Sequence, residues 1–152
     1  MSQHKYTSCA NSIIGMPDET RELIFDNVRF VRNLQDNIDA TGAFIFAPYH
    51  GTPLRTLAIE KGYLNDDEIC SLSNTSASML RMPTIPKEEI SGIARVFSFY
   101  IKFPESKWDE IKIAEKNDAE GNKMFAKLGK EFDFKYRITD KNLKSDGLDL
   151  HD

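Results

Sequence analysis

Long hydrophobic runs, cysteines and an excess of basic residues are all scarce in this chain, and each scarcity excludes a class of protein. No apolar run approaches the roughly 18 residues that a membrane-spanning helix needs. The polar residues Met1 to Lys5 are not followed by the apolar core of a signal peptide. Two cysteines, Cys9 and Cys70, are too few for a disulfide-stabilised secreted domain. We therefore expect a cytoplasmic protein without a membrane partner.

The charge balance argues against a nucleic-acid-binding protein. The net charge is −4, and the 20 basic residues are interspersed with 24 acidic ones rather than clustered on one face. A chain of 152 residues with 40% hydrophobic content is long enough for one domain with a modest core.

The stretch from Ser12 to Thr52 has the residue order of a βαβ unit. The apolar run Ser12–Ile14 leads into the turn residues Gly15–Thr20, a helical pattern follows, and a second apolar run, Ala43–Ala47, leads into Pro48–Pro53. Strand, turn, helix, strand, turn, helix is the order of an α/β protein with a parallel sheet. Ligand sites in such sheets lie at the carboxyl ends of the strands, where both of these loops are predicted to lie.

The helix between the two strands should be amphipathic and should end near Gln35. Asp18, Glu19 and Glu22 are predicted to lie in its first turn, where the helix dipole favours negative charge. Its apolar residues recur at helical spacing: Leu23, Ile24, Val28, Val31 and Leu34. Two parallel strands cannot bury both faces of a sheet, so the pattern predicts part of a larger sheet.

The second half of the chain reads as mostly helical. A short helix should end at Gly62, and residues 63–86 should be polar and irregular. Thr84 is predicted to cap a helix that ends at Pro104, and a further segment begins at Trp108. The expected apolar stripe of the helix that ends at Pro104 is Ile90, Ile93, Ala94, Phe97 and Ile101. The last helix is predicted over Ala119–Tyr136, with apolar residues Met124, Phe125, Leu128, Phe132 and Phe134.

Several residues in the two loops have the chemistry of a binding site, although each also has a plain structural interpretation. Gly15 would let a backbone approach a ligand, or it could simply belong to a βα turn. Tyr49 could stack against a base or pack against the protein. Glu19 could accept a hydrogen bond from a ligand or from the sheet. His50 has no obvious partner and reads as a surface residue, and the two cysteines read as structural thiols rather than metal ligands.

Taken together, two segments resemble the later part of a radical SAM domain. Ser12–Thr20 is similar to the I-I-G-x-P-x-E-T element on the fifth strand of that barrel, and Phe46–Leu54 is similar to the F-x-P-x-x-G-T-P-L element on the sixth. The segment Ala58–Leu64 resembles the helix that follows. Similarity that carries these motifs covers residues 10 to 64, and a looser similarity continues to about residue 136.

This resemblance implies a cofactor and a set of contacts. Radical SAM enzymes fold as full or partial (β/α) barrels, and a [4Fe-4S] cluster held by a C-x-x-x-C-x-x-C loop cleaves S-adenosylmethionine to a radical. By the resemblance, the fifth-strand residues Ile13, Ile14 and Gly15 would pack on the adenosine. The sixth-strand residues, which are Ala47, Pro48 and Tyr49, would border the adenine. The C-terminal part of the chain, including Phe103–Pro104 and Trp108–Ile111, resembles the C-terminal extension of radical SAM proteins that carry an upstream cobalamin-binding domain.

The chain departs from the family at the residues that carry the chemistry. It has no C-x-x-x-C-x-x-C motif, and the first four strands of the barrel are missing. The resemblance therefore predicts the last βα units of a radical SAM barrel in residues 8–64, a helical C-terminal extension in 65–138 and a disordered tail in 139–152. Alone, the chain should be inactive and should bind none of these cofactors tightly. Its partner would be the missing half of the barrel, in the same or a separate chain, and exposed strand edges would favour self-association.

Two other functional interpretations stay open at this point. The chain could be a stand-alone, non-catalytic binding or interaction module that kept the adenosine-side loops, in which case it should fold well in isolation. It could also be an unrelated small α/β protein in which both loops are turns. Substitution of Gly15 and Tyr49 would then leave the affinity for any ligand unchanged.

Overall fold

A computed structural model describes residues 8–38, 40–70 and 77–136, which form a mixed α/β structure that is mostly helical. The predicted tail, 139–152, lies outside these residues. The described elements are β1 (Cys9–Ile14), α1 (Arg21–Asn33), β2 (Ala40–Ile45), α2 (Pro53–Glu60), α3 (Lys87–Lys102), α4 (Trp108–Ala114) and α5 (Ala119–Tyr136). Residues 63–70 and 77–86 form neither helix nor strand, as predicted. No helix in the described ranges is long and apolar enough to span a bilayer.

The two strands lie parallel and in the register that places Ile13 beside Phe44 and Ile14 beside Ile45. Because side chains alternate along a strand, these two pairs point to opposite faces of the sheet. Ile14 and Ile45 are buried in the core, whereas Ile13 is 53% exposed and Phe44 is 43% exposed. The sheet therefore has one covered face and one face that the described part of the chain leaves open.

Helix α1 begins later than its acidic residues suggest. Thr20 is the N-cap, and its hydroxyl accepts a hydrogen bond from the Leu23 amide (3.3 Å). The prediction that Asp18 and Glu19 lie in the first turn is therefore wrong, and only Glu22 does. Asp18 adopts a left-handed backbone conformation (φ +65°), which ends the preceding turn before the helix starts.

Helix α3 connects the βαβ unit to the rest of the chain. Its predicted stripe is largely confirmed as core, since Ile90, Ile93, Phe97 and Ile101 are fully buried. It packs against β2 and α1, so residues on either side of position 64 share a single core. Thr84 does not cap it, because the N-cap is Pro86 and Thr84 lies two residues too early to reach the first turn.

The C-terminal end of α3 is held by α1. Arg32 Nη1 donates hydrogen bonds to the carbonyl oxygens of Tyr100 (2.7 Å), Ile101 (2.9 Å) and Phe103 (2.6 Å). Tyr100 and Ile101 belong to the last turn of α3, where carbonyls lack a partner within the helix, and Phe103 is the C-cap, so a cation here provides a donor and complements the helix dipole. Pro104 follows at the predicted end of α3.

Helices α4 and α5 complete the core with aromatic side chains. The predicted start of α5 at Ala119 is confirmed, the helix continues to Tyr136, where the described residues end, and Leu128 is fully buried. Phe134, however, was expected on the apolar stripe and is 86% exposed. Edge-to-face contacts join Phe25 of α1 to Tyr100 (ring centroids 4.9 Å apart) and to Trp108 (5.5 Å).

Candidate functional site

An open cavity of about 320 Å³ lies at the carboxyl ends of β1 and β2. Its walls come from the ends of both strands, from the two loops that follow them and from the first turn of α2. The lining residues are Ile13, Met16, Phe44, Ile45, Phe46, Ala47, Tyr49, Thr52 and Leu54. The cavity lies at the edge of the sheet where the sequence predicts a site, at the carboxyl ends of the parallel strands.

The loop after β1 is fixed by Gly15 and Glu19. Gly15 adopts φ +82°, which only glycine adopts without strain, and a Cβ atom there would stand 3.1 Å from Cγ2 of Ile90. The Glu19 carboxylate accepts hydrogen bonds from the amides of Gly15 (2.5 Å) and Met16 (3.2 Å). Burial raises the pKa of Glu19, although these two amide bonds act in the opposite direction. Both amides are therefore occupied by protein rather than directed at the cavity.

Asp18 ties the same loop to the residues that follow α2. Its carboxylate accepts a hydrogen bond from the Tyr63 hydroxyl (2.7 Å) and pairs with the Lys61 ammonium (2.7 Å). The bonds from Lys61 and then from Tyr63 lower the pKa of Asp18. The turn after β1 is consequently attached to α3 through Gly15 and to the end of α2 through Asp18.

The loop after β2 places an aromatic ring at the edge of the cavity. Tyr49 is 47% exposed, while the preceding Pro48 is buried. The Thr52 hydroxyl donates to the Tyr49 carbonyl (2.8 Å) and accepts from the Arg55 amide (3.4 Å), and it thereby caps α2. The Arg55 guanidinium is buried and donates to the Pro48 carbonyl (3.1 Å).

The structure brings three of the six predicted site residues to the cavity wall, namely Ile13, Ala47 and Tyr49. The other three support the wall from behind. Ile14 is fully buried in the core and Gly15 packs against α3. Pro48 presents its carbonyl to Arg55.

Sequence reasoning did not single out several residues of this wall. Phe44 faces the open side of the sheet, and its alternation with the buried Ile45 along β2 was the available signal. Met16, Phe46 and Leu54 also line the cavity. Phe46 and Leu54 are the first and last fixed letters of the F-x-P-x-x-G-T-P-L element, whereas nothing in the local pattern distinguishes Met16 from an ordinary packing residue.

The wall suits binding rather than acid–base chemistry. Among the described residues that line it, only Tyr49 carries a titratable side chain, and the others are apolar apart from Thr52. An apolar cavity with one aromatic ring at its rim and backbone groups at two strand ends fits a planar, partly polar ligand. His50, predicted to be a surface residue, is exposed in the same loop and does not line the cavity.

Iron–sulfur ligation does not fit this chain. A cluster of the radical SAM type needs three thiolates, and the chain has two cysteines, of which Cys9 is exposed on β1 and Cys70 is half-buried. Within residues 8–38, 40–70 and 77–136, no three histidine, cysteine, aspartate or glutamate side chains converge as metal ligands.

A second cleft, of about 1090 Å³, lies between α3 and α4 and is lined by paired charges. Arg21 binds Glu115 through both of its terminal nitrogens (2.7 and 3.0 Å) and also binds Glu89 (2.8 Å). Tyr100 donates its hydroxyl hydrogen to Glu115, and burial together with this bond raises the pKa of Tyr100. These groups satisfy one another, so the cluster joins α1, α3 and the end of α4.

Comparison with known proteins gives no neighbour for this arrangement: no family model, no curated protein and no solved structure matches the chain.

Proposed function

We propose that this chain is the C-terminal portion of a radical SAM iron–sulfur enzyme and contributes the adenosine side of the S-adenosylmethionine site. The cavity at the carboxyl ends of β1 and β2 supports the proposal, because three of the six residues that the resemblance assigns to the nucleoside form part of its wall. Ile13 comes from one strand, and Ala47 and Tyr49 come from the loop after the other. The chain alone is incomplete for catalysis.

The residues present are compatible with an adenosyl group. Ile13 and Ala47 offer apolar contacts, and the half-exposed Tyr49 ring offers a stacking surface. Because Glu19 already accepts from the amides of Gly15 and Met16, the polar edge of the base would meet backbone groups of the second loop instead. These residues would bind and orient the nucleoside, while the cofactor itself supplies the carbon–sulfur bond that is broken in the complete enzyme.

The iron–sulfur cluster belongs to the proposed partner and not to this chain, since the thiolates that it needs are not here. The partner is a segment or chain that carries three clustered cysteines and the first strands of the barrel. The edge of β1 that does not pair with β2 in the described residues is the surface that we assign to this partner, because Ile13 and Phe44 on the open face already line the nucleoside cavity. Without the partner, this edge and the open face are expected to promote self-association. Cobalamin remains an implication of the resemblance alone.

The test is an NMR titration of the chain with S-adenosylhomocysteine, which carries the adenosine group and is chemically stable. We expect weak binding, with a Kd of about 1 mM, because half of the site is supplied by the partner. The largest shifts should fall on the methyl groups of Ile13 and Ala47 and on the ring of Tyr49. Uridine is the control ligand and should give no comparable shifts.

A matched pair of variants locates the binding. Tyr49→Ala should weaken binding about fivefold or more, because stacking of a base on an aromatic ring contributes about 1–3 kcal/mol. Phe134→Ala removes a ring on α5 that is still more exposed than Tyr49, and it should leave the affinity unchanged. Shifts spread over the whole surface, or equal shifts with uridine, would reject the proposal.

One observation favours the second candidate, a stand-alone and non-catalytic binding module. The buried residues of the βαβ unit and of α3 to α5 form one core, so this chain has the interior of a self-contained domain. Recovery of the native polypeptide from source cells separates the two candidates. A longer chain, or a partner with three clustered cysteines, supports the enzyme, whereas a chain of 17.4 kDa without such a partner supports the module.

A further inference from the structure

We infer that Arg55 is a positioning residue that fixes the loop carrying Tyr49 in its binding conformation. The identity of the ligand that this loop binds rests on the proposed function. The restraint of the loop by Arg55 rests on hydrogen bonds seen in the structure. Arg55 lies on α2, 3% exposed, beneath the loop that follows β2. Its sequence context offers no hint of this role, because an arginine on a short amphipathic helix is ordinarily solvated.

In the described residues, the Arg55 guanidinium donates all its hydrogen bonds to main-chain carbonyl oxygens. Nη1 donates to Pro48 (3.1 Å), and Nη2 donates to Asp66 (2.8 Å) and Glu68 (2.9 Å). A buried guanidinium is unfavourable unless its donors are satisfied, so the three carbonyls account for its presence. The carbonyls in turn depend on Arg55, because an apolar side chain at this position would leave the Pro48 carbonyl without this donor.

The backbone on both sides of the Tyr49 side chain is thereby fixed. Arg55 holds the carbonyl of Pro48, immediately before Tyr49, and the Thr52 hydroxyl holds the carbonyl of Tyr49 itself (2.8 Å). Gly51, two residues further on, adopts φ +78° with no neighbour within 4 Å of a would-be Cβ. The half-exposed ring is therefore attached to a peptide that is held at two points, two residues before a glycine that provides no rigidity of its own.

The segment that Arg55 binds on its other side, which contains Asp66 and Glu68, is also held in place. Glu68 binds Arg81 through both carboxylate oxygens (2.5 and 2.9 Å) and accepts from the Asn65 amide (2.7 Å). The turn at residues 65–68 is therefore a fixed support. Arg55 connects this support to the loop, which restricts the Tyr49 ring before any ligand arrives and lowers the entropy lost on binding.

The test compares Arg55→Gln with Arg55→Lys and with Ile111→Val, a buried substitution on α4 that lowers global stability away from the loop. The first readout is amide hydrogen exchange at Tyr49 and Thr52, whose amides donate to the carbonyls of Ala47 and Tyr49. Arg55→Gln should raise exchange at these two amides about tenfold, as expected for the loss of a charge-assisted hydrogen bond. Arg55→Lys, which keeps a charged donor, should recover part of the protection.

The second readout is the affinity for S-adenosylhomocysteine under conditions where every variant is folded. Arg55→Gln should weaken binding about tenfold, and Ile111→Val should not change it. A uniform rise in exchange along the chain, equal to that of Ile111→Val, would show a purely structural role and overturn the inference. The inference would also be overturned if the wild type bound measurably and Arg55→Gln bound with the same affinity. If the wild type itself does not bind, the proposed function fails, and the exchange rates alone decide whether Arg55 fixes the loop.

Discussion

Gly15 lies directly against Ile90, 75 positions along the chain, so closely that a Cβ atom on Gly15 would stand 3.1 Å from Ile90 Cγ2. The contact joins the loop after β1 to the first turns of α3. Gly15 is thus required twice, once for its positive φ and once for the space that it leaves to Ile90. The glycine positions the wall of the cavity through packing, and its amide is bound by Glu19.

Gly15→Ala should destabilise the fold by about 2–4 kcal/mol, which combines the strain of a left-handed alanine with overpacking against Ile90. Gly51→Ala is the matched control, because Gly51 has a similar φ (+78°), but a Cβ atom there would meet no atom within 4 Å apart from its chain neighbours. It should cost only the backbone contribution, about 1–2 kcal/mol. Urea denaturation of both variants measures the difference, and equal losses would show that the contact with Ile90 has no energetic role.

Arg21→Met should lower the free energy of unfolding by about 1–3 kcal/mol, because it leaves the Glu115 carboxylate, whose side chain is 9% exposed, without its bidentate partner. Arg29→Met is the control on the same helix, since Arg29 pairs with Asp26 in an exposed position. That change should stay within about 0.5 kcal/mol. Similar losses in the two variants would contradict the assignment of the Arg21 cluster as a structural joint.

The hydrogen bonds from Arg81 and Asn65 lower the pKa of Glu68 to about 2. The folded-state pKa lies below the ordinary value of 4.5, so this pairing favours the folded state above about pH 4.5, and the stabilisation is lost as the pH falls toward 2. NMR titration of the Glu68 carboxyl carbon should show the low midpoint. Arg81→Gln should move the midpoint up toward 4.5. A wild-type midpoint already near 4.5 would contradict the contact.

Glu19 should show the opposite pH dependence. Burial raises its pKa above 4.5, so the folded state binds the proton more tightly than the unfolded state, and this contribution to stability is lost as the pH rises through the folded-state pKa. Glu19→Gln removes the titration. The stability of the variant relative to the wild type should therefore increase with pH above about 4.5, and thermal denaturation across this range measures the slope. A difference that does not vary with pH would refute the prediction.

Helical periodicity gave the parts of the fold that depend on local sequence. The stripe through Ile90, Phe97 and Ile101 identified the buried side of α3 because burial repeats with the helical period. The start of α5 at Ala119 followed from the same pattern. The parallel βαβ order was also readable, since glycine and proline residues end both apolar runs and thereby mark the two strands.

The features that local sequence could not reveal depend on distant partners. The cavity itself was expected where the strands end, but the support of Gly15 by Ile90 and of Pro48 by Arg55 required the folded chain. The burial of Arg55 could not be predicted from the sequence, because its partners are main-chain carbonyls and no acidic side chain at a suitable spacing indicates them. Thr84 misled for a simpler reason, since a capping residue type two positions from a helix start makes no cap.

The three hydrogen bonds from Arg32 to the end of α3 have a consequence for how the molecule opens. Helix ends normally fray one residue at a time, because their last carbonyls bond only to water. Here the last turn of α3 cannot fray unless α1 releases its guanidinium, and α1 in turn contributes Phe25 to the aromatic contacts around Tyr100. We therefore expect two helices that are far apart in sequence, which contact each other and the covered face of the sheet, to unfold as one cooperative unit.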